Sequence, residues 1–256
     1  MSKVVSIANQ KGGVGKTTTA VNLSACVADK GKRVLLIDLD PQGNATSGVG
    51  VDHNHVEKSV YNVLMDDIAV QDAVLPTDMK NLYVLPSHIQ LAGAEIELVS
   101  ALAREHIISR QLEVAKPLYD YIFIDCPPSL GLLTLNALTA SNSVLVPIQC
   151  EYYALEGLTQ LMNTVRLVKK RLNPQLDIEG VVLTMLNGRT KLGVQVVDEV
   201  KKFFGQKVYN TIIPRNVRLG EAPSYGQPIN IYDGRSAGAL AYASLAGEFL
   251  KWNGGE

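Results

Sequence analysis

Residues 4–20 read VVSIANQKGGVGKTTTA: an apolar run of strand length, a glycine-rich turn and the start of a helical segment. The glycines of GGVGKT let backbone N–H groups turn inward around a phosphate chain. In that arrangement Lys16 reaches the terminal phosphate oxygens, the Thr17 hydroxyl can ligate Mg²⁺, and the helix opening there adds its positive end. The preceding strand and the following helix supply the context that a chance glycine turn lacks. The loop departs from the usual G-x-x-x-x-G-K-[ST] spacing in having Gln10 where that pattern has glycine, and it carries a second lysine, Lys11, ahead of the glycines. A loop already neutralised by Lys16 and Mg²⁺ has no internal need of that cation.

Outward from this loop, apolar runs alternate with segments of helical period. Strands are expected at 4–8, 34–38, 83–86, 121–125, 144–148, 180–186 and 208–214, several of them continuously apolar as central parallel strands are. Helices are expected at 17–29, 95–114, 155–172, 194–204 and 237–250. In the third, Leu155, Leu158, Met162, Val165 and Val168 share one face, and the KKR at 169–171 lies where a helix C-terminus favours cations. The alternation predicts an α/β fold, a mainly parallel twisted sheet with helices on both faces, in a single domain over residues 1–256. The Gly/Asn/Ser-rich stretch from Pro41 to Gly50 is expected to be a mobile, ligand-responsive loop.

The 24 basic and 25 acidic residues leave a net charge of −1, so contact with nucleic acid needs a local cationic patch. Cys26, Cys126 and Cys150 are dispersed and odd in number, which excludes a disulfide framework, disfavours zinc and predicts a reducing cytoplasm. Cys126 reads as a small buried hydrophobe. No leader-like N-terminus and no apolar stretch of bilayer length is present in the sequence. His53 and His55 lie in a polar segment and read as surface residues.

Two further stretches carry acidic residues toward the phosphate loop. LLIDLDPQGNATSG places Asp38 and Asp40 at the end of a strand, on opposite sides if strand geometry persists that far. YIFIDCPPS ends an apolar strand in Asp125, positioned for water-mediated contact with Mg²⁺.

The K-G-G-x-G-K-[ST] variant resembles the deviant Walker A ATPases, the group that includes ParA/Soj, MinD and the nitrogenase iron protein. DLDPQGNATSG, AGAEIEL, DCPPSLG, PIQCEYYALEGL and IPRNVRLGEAPS narrow the resemblance to the ParA/Soj branch across nearly the whole chain. The resemblance implies that Lys11, Gly12, Gly13, Val14, Gly15, Lys16, Thr17 and Thr18 bind ATP, with Lys11 reaching the nucleotide of a partner subunit. It assigns Asp40 to the attacking water and Asp38 to the outer shell of Mg²⁺. It sets Pro214 and Asn216 beside the adenine and brings Glu151 to the nucleotide across a homodimer.

By the same resemblance the chain is a weak ATPase that coats double-stranded DNA non-specifically in its ATP state and partitions a chromosome or plasmid. A ParB/Spo0J-type protein stimulates hydrolysis, and some relatives also regulate replication initiation. The expected location is the cytoplasm, on the nucleoid. Arg189, Arg215 and Arg218 are the expected DNA contacts, with Lys191, Lys201 and Lys202 as helpers. Only three residues precede the first strand, so operator recognition by an added N-terminal domain is not expected. Two other classes remain. A MinD-like membrane ATPase needs a basic amphipathic C-terminal helix, whereas LAGEFLKWNGGE has one lysine, so membrane binding is not expected. An iron-protein-like reductase needs paired cysteines, and Cys126 and Cys150 lack that spacing.

Overall fold

The computed structural model describes residues 2–150, 154–186 and 191–254. Eight strands form one sheet: β1 (Lys3–Ile7), β2 (Val34–Asp38), β3 (Leu75–Pro76), β4 (Leu82–Leu85), β5 (Tyr121–Asp125), β6 (Ser143–Gln149), β7 (Asp177–Thr184) and β8 (Val208–Ile213). Their order is β3-β4-β2-β5-β1-β6-β7-β8, and every pairing is parallel except β3 with β4. The α-helices among the described residues are α1 (Lys16–Asp29), α2 (Asn44–Gly48), α3 (Val60–Met65), α4 (Val70–Ala73), α5 (Leu91–Glu97), α6 (Ile107–Ala115), α7 (Leu132–Ala140), α8 (Ala154–Arg171), α9 (Lys191–Phe204), α10 (Val217–Glu221), α11 (Ile229–Tyr232) and α12 (Ala237–Trp252).

Strand side chains alternate between two cores. Val4, Leu35, Ile37, Ile122, Ile124, Val144 and Val181 pack under α3 to α9. Val5, Ile7, Leu36, Phe123, Leu145 and Val182 pack under α1, α11 and α12. Burial on both faces explains why these strands read as unbroken apolar runs. The chain leaves β1 toward β2 and later returns to place β5 and β6 on its two sides. The ends of β1, β2 and β5 therefore meet where a ligand crevice forms in such sheets.

Three expectations are corrected. The single helix expected over 95–114 is broken: α5 passes into a 3₁₀ turn at Leu98–Ser100, Ala103 takes φ 50°, and α6 begins only at Ile107. Asn136 of α7 supports the break, donating to the Arg104 carbonyl at 2.7 Å and accepting from the Ile108 N–H at 3.3 Å. The segment 41–50 is not an open loop, because α2 forms there with Ala45, Thr46 and Gly48 buried. His53 is half-buried: its ring packs where a side chain on Gly43 would stand, and its Nδ1 hydrogen-bonds the Ser47 hydroxyl at 2.9 Å.

On α8 the apolar face holds as expected at Leu158, Val165 and Val168, with Leu161 added and Met162 partly exposed. Arg171 and its two lysine neighbours occupy the last turn of that helix.

Candidate nucleotide site

The loop from Ala8 to Gly15 is held by its neighbours before any ligand is considered. Ala8 N–H donates to the Leu145 carbonyl, and the Asn9 amide donates to the Pro147 carbonyl at 2.8 Å while its oxygen accepts from Lys11 N–H. Thr184 at the end of β7 donates its hydroxyl to the Val14 carbonyl at 2.9 Å. Gly15 caps α1 at φ 87°, a backbone that favours glycine. The helix that follows holds three successive threonines, poor helix formers. Its buried face and its packing against α12 override that propensity.

Lys16 is buried, and its ammonium donates to the Lys11 carbonyl at 3.1 Å. Burial lowers its pKa, opposed by the nearby charge of Asp125. The two lysines of the motif thus have different places. Lys16 is the ammonium inside the loop, and Lys11 serves that ammonium with its backbone carbonyl.

Asp38 and Asp125 are fully buried at the ends of β2 and β5, and Asp40 is nearly so. Asp38 Oδ2 accepts from the N–H and the hydroxyl of Thr46, each at 2.7 Å, and its Oδ1 accepts from Asp40 N–H at 3.2 Å. Burial pushes its carboxyl up to about 6, against the pull of the Thr46 bonds. Neither oxygen of Asp125 meets a hydrogen-bond donor among the described residues. Burial, and after it the charge of Asp38, pushes the Asp125 carboxyl well above the usual range; the Thr17 hydroxyl lowers it from nearby without closing a bond of good geometry. An orphaned buried carboxylate beside a threonine hydroxyl is a donor set of hard oxygens that fits Mg²⁺. Among the described residues no three acidic, histidine or cysteine side chains are arranged to hold a metal ion by themselves, so such an ion would draw its other ligands from water and phosphate.

Beside the loop, Gly15, Thr18, Thr184, Met185, Pro214, Asn216 and Tyr242 line a cavity of ≈ 200 Å³, which Arg215 also borders. Met185 stands there at φ 52°, a left-handed backbone rare for a side chain of its size, and its N–H donates to the Ile213 carbonyl at 2.7 Å. Asn216 also caps α10, accepting from Arg218 N–H at 2.8 Å.

The structure therefore brings together Lys11, Gly12 through Thr18, Asp38, Asp40 and Asp125, with Pro214, Arg215 and Asn216 on the adjoining cavity. It sets Arg218 apart, bonded to Glu221 at 2.8 Å and facing Asp233 at 3.5 Å. Lys201 and Lys202 lie in the last turn of α9, about 15 Å along its axis from Lys191. Arg189 and Glu151 lie outside the described residues. Asn9, Thr46, Ser87, Thr184 and Met185 belong to the site but have no role that the motifs reveal, since each acts through a contact distant in sequence. Cys26, Cys126 and Cys150 are buried and free, and burial pushes up the thiol of each.

Comparison with known proteins agrees with this geometry. Residues 2–178 match the family described as AAA domain. The chain is 65% identical to the sporulation initiation inhibitor protein Soj of Bacillus subtilis, over 97% of this chain and 98% of that one. It is 51% identical to the chromosome partitioning protein ParA of Myxococcus xanthus, over 98% of this chain and 89% of that one. A solved structure described as cobyrinic acid a,c-diamide synthase from Mycobacterium smegmatis, with bound ADP and magnesium, superposes with a TM-score of 0.87 at 38% identity, covering 100% of this chain and 97% of that one. With its two-lysine phosphate loop, its three buried aspartates and these full-length matches, the chain belongs to the ParA/Soj family of chromosome-partitioning P-loop ATPases.

Proposed function

We propose that this chain, as a single domain, binds ATP with Mg²⁺ and hydrolyses it weakly, dimerises around two nucleotides, and in that state binds double-stranded DNA without base preference. A ParB/Spo0J-type partner stimulates hydrolysis and releases the protein from a nucleoid in the cytoplasm, and the cycle partitions a chromosome or plasmid. The observation that carries the reading is the juxtaposition of buried Lys16 with the unpartnered carboxylate of Asp125 at the start of α1. A cation and an orphaned carboxylate at a helix N-terminus serve a magnesium-bound phosphate chain.

The loop N–H groups and α1 hold the phosphates, and Lys16 neutralises their outer oxygens. A bound Mg²⁺, held by Thr17, Asp38 and Asp125 directly or through water, would offset the charge of the phosphates and of the carboxylates together. Asp40 accepts a hydrogen bond from the attacking water and so orients it. Lys11 acts on the nucleotide of the second subunit, because within its own chain Lys16 already fills the cationic position. Pro214 and Asn216 border the base, and Glu151 approaches the nucleotide across the dimer. DNA contacts fall to Arg189, Arg215 and Arg218.

The competing MinD-like reading requires a helix that lies on lipid. In α12, Tyr242, Leu245, Ala246, Phe249 and Leu250 are buried against the sheet, and the last turn holds one lysine. No helix among the described residues is long and apolar enough to cross a membrane. Gel filtration and DNA binding with ATP against ADP test the proposal. The expected result is a dimer with ATP alone that alone retains DNA; a monomer in both states, or flotation with anionic liposomes, overturns it.

A further inference from the structure

Two side chains to which the sequence motifs give no role join Asp38 and Asp40 into a closed ring. Thr46 on α2 is fully buried, and its hydroxyl donates to Asp38 Oδ2 at 2.7 Å. The same hydroxyl oxygen accepts the N–H of Ser87 at 2.9 Å. Ser87, also fully buried, donates its own hydroxyl to the Asp40 carbonyl at 2.6 Å. Asp40 N–H then returns to Asp38 Oδ1 at 3.2 Å.

The ring pins Asp40 through both of its backbone polar groups. Its N–H is fixed by Asp38 and its carbonyl by Ser87, so the carboxylate projects from a backbone with little freedom. Gln42 N–H holds Oδ1 of that carboxylate at 3.0 Å. Thr46 is the common member, since its second donor, the backbone N–H, also reaches Asp38 Oδ2 at 2.7 Å. Every bond in the ring is buried, where an unmade one is costly, so the arrangement is fixed as a unit rather than bond by bond.

We propose that Thr46 and Ser87 are positioning residues for hydrolysis, a latch that holds α2 and the chain after β4 together so that Asp40 keeps its carboxylate on the attacking water. The inference rests on the ATPase reading above and adds to it two residues that touch neither nucleotide nor water. The latch joins two segments far apart in sequence, residues 38–48 and Ser87. A shift of either segment reaches Asp40 through one hydroxyl.

The hydroxyl of Thr46 must both donate and accept. Valine keeps its shape and does neither, whereas serine does both. Thr46→Val and Ser87→Ala are expected to slow single-turnover ATP hydrolysis about 10- to 100-fold, the scale of a misplaced catalytic group. ATP affinity by calorimetry should stay at the wild-type value, and Thr46→Ser should restore turnover. Thermal unfolding verifies that each variant folds; if Thr46→Val does not, Ser87→Ala and Thr46→Ser carry the comparison. Wild-type turnover in the folded variants, or a loss of ATP affinity in parallel with turnover, overturns the latch. Asp40→Ala separates the two levels. If it abolishes hydrolysis while the latch variants turn over normally, only the latch fails; if wild-type protein does not hydrolyse ATP, the underlying reading fails with it.

Discussion

Asp38 and Asp125 stand opposite each other in register at the ends of adjacent parallel strands, both fully buried. Neighbouring strands lie about 4.8 Å apart, so two carboxylates are held close in a region shielded from water. Asp38 satisfies its charge with three hydrogen bonds, and Asp125 has none among the described residues. The sheet therefore carries an electrostatic strain at the place where a cation would relieve it.

That strain has a pH signature. Both carboxyls titrate higher in the folded chain than in the unfolded one, Asp38 at about 6 and Asp125 well above its ordinary value. Between the unfolded value near 4 and these folded values, the folded chain holds the extra protons, so stability falls as pH rises through that window. Asp125→Asn removes the share of the effect that belongs to Asp125. It is expected to flatten the fall of stability with rising pH in the nucleotide-free protein, since the isosteric amide carries no proton to lose. The checks are thermal midpoints from pH 4 to 8 with and without Mg²⁺. Wild type should gain from Mg²⁺ and nucleotide together, and Asp125→Asn should not.

The two lysines of the loop separate binding from assembly. Lys16→Ala should abolish ATP binding, because it removes the buried ammonium that the loop holds for the phosphates. Lys11→Ala should keep ATP binding, since the carbonyl that Lys16 uses belongs to the backbone and survives. Its expected loss is dimerisation. Gly12→Val makes the same point by shape: a Cβ there meets nothing within 4 Å in its own chain, so the fold tolerates it, and loss of the dimer with ATP binding retained would place the defect between chains. Calorimetry with ATP beside gel filtration decides the matter, and a Lys11→Ala dimer would remove the lysine from the interface.

Much of this site could be read before the fold was known because its chemistry is local. The phosphate loop, Asp38, Asp40 and Asp125 each follow an apolar strand within a few residues, and the strands themselves declare their burial by continuous apolarity. What escaped detection depends on partners far away in the chain. α7, with the sequence LLTLNALTA, is apolar on all sides and offers no helical period. The 95–114 segment has such a period throughout, yet Asn136 holds the two ends of a break within it. α2 was hidden in a Gly/Asn/Ser-rich stretch because its stability comes from Thr46 reaching Asp38 and Ser87, a contact no propensity encodes.

The outer strand of the sheet supplies another prediction. Glu248 of α12 accepts from the N–H and side-chain amide of Asn210 at 2.8 and 2.9 Å, and from the N–H and hydroxyl of Thr211 at 3.0 Å each. One carboxylate thus closes two backbone donors of β8, a strand with β7 on one side only. Open strand edges pair with other chains. Glu248→Ala should cost about 2 kcal/mol, roughly 4–8 °C in midpoint for a chain of this size. Light scattering on warming should begin earlier than in wild type. An unchanged midpoint and onset would show that the carboxylate is dispensable to the edge.

The last prediction concerns DNA, where charge pairing modifies the expectation drawn from the sequence. Arg218 bonds Glu221 and faces Asp233, so around it two carboxylates oppose one guanidinium. For Arg218 to hold a phosphate, that phosphate must compete with Glu221, an exposed partner whose bond is worth little. Glu221→Gln weakens the competitor without touching the arginine, and should strengthen DNA binding by the ATP-bound protein. Arg218→Glu and Arg189→Glu should weaken it while leaving ATP-dependent dimerisation intact. Each lost phosphate contact lowers the slope of log affinity against log salt by about 0.9, equally for unrelated duplexes, because phosphates carry no base information. If Glu221→Gln leaves affinity unchanged while Arg218→Glu lowers it, Arg218 acts through local charge rather than by direct contact. If neither substitution alters affinity or slope, the cations at the far end of α9, Lys201 and Lys202, become the surface to change next.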